Sequence, residues 1–144
     1  PQDVLAAFRE GVARTVDPRD GQTHRDLGIA YREMGLIDEA IEAFEQAARQ
    51  PRQRIASLAL LADCLVAAGR AREAICQAMK ALHQPGLTRR AALDLYHVAG
   101  RAYESLGDDD TAARLYHKIA RRDPEHRDAR RRLQALRQNA PHPA

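Results

Sequence analysis

The 144-residue sequence has no tryptophan, and phenylalanine and tyrosine together raise the aromatic share to only 4%. A core made from this chain must be built mostly from Ala, Leu, Ile and Val, which favours helices in close approach and leaves no aromatic platform for stacking bases. Thiols are scarce too. Cys64 and Cys76 are the only cysteines, too few for a secreted disulfide framework and without metal-site spacing, so a reducing, cytoplasmic setting is expected. No apolar run approaches the ~20 residues that a bilayer requires. With 30% charged residues and a mean hydropathy of −0.56, no membrane insertion is expected.

Catalytic signatures are also missing. Histidines 24, 83, 97, 117, 126 and 142 are scattered along the chain, with no HExxH and no cysteine–histidine pair at ligand spacing,. Glycines fall at turns or helix contacts rather than in a phosphate-cradling loop, and Cys64 reads as a packed thiol. An enzyme is therefore not expected, and neither a cofactor nor a metal. Asp108, Asp109 and Asp110 crowd a helix start, where negative charge suits the positive end of the helix dipole; they lack the alternating ligands of a calcium loop.

What the chain does contain is a repeated pattern. In THRDLGIAYREMGLIDEAIEAFEQAA (Thr23 to Ala48), Leu27, Gly28 and Tyr31 share one helical stripe, and Ala40, Phe44 and Ala47 share another. Small residues let the two backbones approach, and Tyr31 and Phe44 fill the volume beside them, as in an antiparallel helix pair joined at Gly35. Moving along the chain returns Gly35 as Gly69, Ala40 as Ala74, Ile41 as Ile75, Ala47 as Ala81 and Pro51 as Pro85. A third copy follows an insertion around Pro85-Gly86-Leu87-Thr88, with Gly100, Tyr103, Gly107, Ala112, Tyr116 and Pro124 in order. A hairpin cannot bury its faces alone, and three copies suffice for a stable stack.

LGIAY followed by DEAIEAF resembles the tetratricopeptide repeat. The second copy departs most, with Ala62 for glycine, Leu65 for tyrosine and Ala78 for the aromatic residue; the third keeps Tyr96 but has Ala99 where leucine is usual. The resemblance implies an all-α, right-handed α-solenoid with flanking helices in a single domain over residues 1–139. Repeats are expected at 20–50, 52–84 and 88–123, a capping helix at 124–138 and a frayed tail at 140–144. Asp17 or Asp20, Asp38 and Thr88 are candidate caps, and the helix after Pro51 is expected from Arg52 to Ala68. Residues 3–16 carry Leu5, Phe8 and Val12 on one face, so they read either as half of an earlier repeat or as an N-terminal cap. The chain opens on Pro1, which points to a native start further upstream.

The resemblance also implies that the first helix of each pair lines a concave side. Arg25, Asp26, Ile29, Arg32 and Glu33 are expected there from the first copy, and Ala59, Leu60, Asp63, Val66 and Ala67 from the second. The third contributes Asp94, His97, Val98, Arg101 and Glu104. Leu60, Val66 and Val98 are not needed for the repeat core, and clustered exposed apolar groups mark interaction surfaces; the alternative, that Leu60 and Val66 are covered by neighbouring helices, stays open. A partner helix or extended peptide would suit such a groove. Some members of the family clamp a terminal carboxylate with lysine, asparagine and arginine. Here Arg25 matches one position, but Ile29, Leu60, Asp94 and Val98 stand at others, which disfavours that ligand.

A non-enzymatic protein-interaction scaffold is therefore expected, monomeric or weakly self-associating. Near-exclusive use of arginine over lysine, with only Lys80 and Lys118, and abundant alanine suit a GC-rich bacterial genome. The first repeat's wording also resembles bacterial adaptors of pilus, motility and secretion assemblies. Two rival surfaces are the helix at 3–16, for self-association, and the basic residues Arg127, Arg130, Arg131, Arg132 and Arg137, for nucleic acid or an acidic partner. The nucleic-acid version is disfavoured by the missing aromatics.

Overall fold

Three times along the chain a helix closes in the same way, with a glycine at positive φ: Gly35 (78°), Gly69 (77°) and Gly107 (79°). Left-handed backbone admits glycine without a Cβ penalty. It brings the next N–H back onto the last turn, with Leu36 N to Tyr31 O (2.8 Å), Arg70 N to Leu65 O (2.8 Å) and Asp108 N to Tyr103 O (3.0 Å). Each turn thus satisfies carbonyls that the helix end would leave open and reverses the chain for an antiparallel partner.

The computed structural model describes residues 2–140. Pro1 and residues 141–144, with His142 and most of the expected tail, lie outside the described residues. The helices are α1 (Gln2–Thr15), α2 (Gly21–Glu33), α3 (Ile37–Ala48), α4 (Arg54–Ala67), α5 (Ala71–Leu82), α6 (Arg89–Ser105), α7 (Asp109–Arg122) and α8 (Arg127–Asn139), with a 3-10 turn at Pro51–Gln53. Asp20, Thr88 and Asp108 cap α2, α6 and α7 by accepting from the backbone N–H of Thr23, Ala91 and Thr111. Such caps are each worth about 1 kcal/mol.

Three expected boundaries shift. Asp38 lies inside the first turn of α3, whose cap position is Leu36 without a side-chain bond. The Pro51–Gln53 turn delays α4 to Arg54. The last helix starts at Arg127 rather than Pro124, because His126 caps it through Nδ1, which accepts from Ala129 N at 3.1 Å.

Each sequence-adjacent pair from α2 to α8 packs together, α4 also packs directly on α6, and α2 meets the Pro51–Gln53 turn. Within the first and third hairpins an aromatic ring lies on a glycine. A Cβ on Gly28 would stand 2.5 Å from the Phe44 ring, and one on Gly100 2.6 Å from the Tyr116 ring. The middle hairpin solves the same contact with Ala62 and Ala78, both fully buried. Large against none and small against small fill the same gap, which is how a degenerate copy keeps the register. The all-α repeat solenoid expected from the pattern is the architecture observed.

Candidate functional site

The expected groove residues lie on α2, α4 and α6, and a carboxylate ties the three helices together. Asp63 on α4 accepts from Arg101 Nη1 of α6 at 2.5 Å and pairs through its other oxygen with Arg32 of α2. The aspartate is mostly buried, Arg101 less so, and Arg32 is 42% exposed. Two guanidiniums on one carboxylate leave an excess positive charge in the middle of this face.

Apolar groups flank that centre. Ile29 is 37% exposed, while Ala59, Leu60 and Val66 are half-buried and rest on the core. Val98 is a correction. It is only 5% exposed and belongs to the core, where α6 packs directly on α4, whereas Ile29 on α2 stays open. Arg25 is half-buried; its Nε has no hydrogen-bond partner, and its Nη2 donates to Gln22 at 3.3 Å. Asp26, Glu33 and Ala67 are exposed, as is Asp94, which lies 3.9 Å from Arg90.

At the C-terminal side the face is occupied from within the chain. Asp128 of α8 lies 2.5 Å from His97 Nε2, accepts from Arg132 Nε at 2.7 Å and pairs with Arg131. Arg132 Nη1 also donates to Glu104 at 2.9 Å, and the Tyr116 hydroxyl donates to the same oxygen at 2.5 Å. Burial resists ionisation of Asp128, yet bonds from His97, Arg131 and Arg132 outweigh it and hold its carboxyl well below the usual range,. Burial first, and the bond to Glu104 second, push the Tyr116 hydroxyl far above its ordinary value.

This network corrects the expected basic surface. Arg131 and Arg132 are neutralised by Asp128 and Glu104, which leaves Arg127, Arg130 and Arg137 as the exposed arginines of α8 without a carboxylate partner among the described residues. The sequence reading missed Asp128 as a hub and His126 as a cap. A helix rich in arginine gives no sign of which distant carboxylate it meets. Cys64 is fully buried, and burial pushes its thiol up, so it packs rather than reacts. Cys76 is exposed.

At the other end, α1 stands over a cleft of about 590 Å3 lined by residues such as Val12, Val16, Leu27 and Tyr31. Phe8 meets Tyr31 edge-on with ring centroids 6.2 Å apart, and Arg9 reaches Glu42 at 3.0 Å and Glu39 at 3.6 Å. Val4 and Phe8 remain 70% and 51% exposed. No helix among the described residues is long and apolar enough to cross a membrane.

Family models described as Tetratricopeptide repeat match residues 2–53, 25–86 and 93–136. No curated protein matches the sequence. Similar solved structures include the first TPR domain of the human RPAP3 protein, at TM-score 0.75 and 18% identity, covering 85% of this chain and 93% of that one. MamA is similar at TM-score 0.76 and 21% identity, covering 93% and 75%. The first TPR of Spaghetti (RPAP3), bound to HSP90 peptide SRMEEVD, is similar at TM-score 0.75 and 19% identity, covering 85% and 94%. At these identities the likeness is one of fold.

Proposed function

Because the chain belongs to the tetratricopeptide repeat family and is accordingly a protein–protein interaction scaffold, we propose that it holds a helix or extended segment of a partner protein on the face shared by α2, α4 and α6. The observation that carries this reading is the Arg32–Asp63–Arg101 cluster, whose extra positive charge lies on the same face as Ile29 and Leu60. A partner segment with a carboxylate next to an apolar side chain fits both features. Burying an isoleucine-sized group contributes roughly 1.5–3 kcal/mol, and the charge fixes register rather than adding much affinity. The Spaghetti (RPAP3) domain of the same fold is bound to an HSP90 peptide, which supports a peptide-sized partner. Ile29 and Leu60, at clamp positions, favour an internal segment over a chain terminus. A bacterial pilus, motility or secretion assembly, suggested by the wording of the first repeat, is the setting to search first.

Affinity capture from the source cell tests this with Ile29→Asp. Ile29 is exposed, so the variant should keep its helical content and unfolding midpoint while losing the captured protein. Capture undiminished by Ile29→Asp and by Arg32→Glu would show that the partner sits elsewhere.

A second reading rests on α1, where exposed Val4 and Phe8 suit self-association through the N-terminal helix. Sedimentation over a range of concentrations should show a dimer that Phe8→Glu dissociates; a strict monomer at high concentration removes this reading.

A further inference from the structure

From Thr111 to Arg122, α7 contains no acidic residue, and neither does α8 from Ala129 to Asn139. Arg114, Lys118 and Arg121 recur at helical spacing on the solvent face of α7, with Arg122 beside them, and all four are exposed,. On α8, Arg130, Gln134 and Arg137 form a parallel exposed row. These six cations have no carboxylate partner among the described residues, where Arg131 and Arg132 take the nearby acids. Arg114 donates to Thr111 Oγ1, Lys118 lies 4.7 Å above the Tyr96 ring, and Arg130 donates to the Pro124 carbonyl.

The rows border two clefts. One, of about 640 Å3, includes Leu115 in its lining; the other, of about 440 Å3, lies between α7 and α8 with Ala120 and Leu133 in its lining. His117 and Arg121 belong to both, so they form the ridge between them. A surface of one sign, edged with depressions that have apolar groups in their walls, asks for a ligand with negative charge and side chains to insert.

We propose that this α7–α8 face is a second docking surface, separate from the α2–α4–α6 face, for an acidic amphipathic helix of a partner protein. Glutamates or aspartates of that helix meet the arginine rows, and its apolar side chains enter the clefts beside Leu115 and Leu133. Nucleic acid fits less well. Phosphates would touch the ridge and leave the clefts empty, and the tyrosine ring of α7, Tyr116, is buried, which leaves His117 as the exposed ring on the ridge for stacking,.

The test uses the full chain and fluorescence anisotropy with a labelled Glu/Leu amphipathic helical peptide, the same peptide with serine for leucine, and duplex DNA. The Glu/Leu peptide should bind, with the serine version about tenfold weaker. Arg114→Glu with Arg121→Glu should weaken binding by roughly tenfold or more, while the matched charge reversal on α5, Arg72→Glu with Lys80→Glu, both exposed and outside either face, leaves it unchanged. The milder pair Arg114→Gln with Arg121→Gln serves if charge reversal disturbs folding by circular dichroism. Equal affinity for the serine peptide, tighter binding of DNA at physiological salt, or no effect of either pair would overturn the proposal. An equal loss caused by the α5 pair would also overturn it, by assigning the binding to overall charge rather than to this face.

Discussion

Helix α8 is fixed to its neighbours by two buried apolar residues, Ala129 and Leu133, and by Asp128 and Glu104, which together receive His97, Arg131, Arg132 and Tyr116. Helix α1, at the opposite end, leans on α2 and α3 through an edge-on ring contact and the Arg9 pairs, with Val4 and Phe8 still in solvent. Both helices are amphipathic and both form ion pairs, so neither property decides how firmly an end is held. The difference is whether apolar side chains are covered beneath the pairs. An exposed pair such as Arg9–Glu42 contributes at most about 1 kcal/mol, too little to anchor a helix without burial.

Matched substitutions sharpen this contrast. The largest effect is expected from Val98→Glu against Val4→Glu. The first places an unpaired charge in the core and should cost several kcal/mol, on the order of 3 or more; the second should change urea unfolding by less than about 0.5 kcal/mol. Similar losses from both would mean that α1 is held as firmly as the C-terminal third.

Glycine to alanine should have opposite signs at the two ends. At Gly100 the new Cβ meets the Tyr116 ring at 2.6 Å, with an expected cost of about 1–3 kcal/mol,. At Gly11 nothing lies within 4 Å, so improved helix propensity should stabilise α1 by up to about 1 kcal/mol. Thermal unfolding of the pair checks the sign.

The smallest effect concerns acid. The folded-state pKa of Asp128 is depressed, so below the ordinary carboxylate value the unfolded chain binds the extra proton and stability rises with pH,. That contribution is fully present above the ordinary value and is lost progressively below about pH 4. The protection of α8 amides, taken relative to their intrinsic exchange rates at each pH, should therefore fall in acid more steeply than in Asp128→Asn, whose α8 protection depends less on pH across that range,. An unchanged pH dependence in the variant would show that Asp128 contributes nothing to holding α8.

The fold was legible because its determinants are local. Gly35, Gly69 and Gly107 sit where the backbone must turn left-handed, and the Gly28–Phe44 and Gly100–Tyr116 pairs announce close helix contact through size alone. The candidate site was legible only in part. Arg32, Asp63 and Arg101 each occupied an expected groove position, yet nothing in the pattern joined them. Val98 occupied such a position too, but its burial depends on how nearly α6 approaches α4, which periodicity within α6 cannot report. The basic face of α7 carries a readable signal, the acid-free run from Thr111 to Arg122, but the clefts beside it depend on how α7 and α8 pack, which the run alone does not report.

Asp63 belongs to the middle hairpin, but the two side chains it grips come from the first and the third. That carboxylate is therefore a polar rivet through all three hairpins, added to the packing of α3 on α4, α5 on α6 and α4 on α6. On the proposed docking mode, a guest acid that drew Arg32 away would undo the link between the first and second hairpins and spare the one to the third, so gripping a ligand would exchange an internal clasp for an external one.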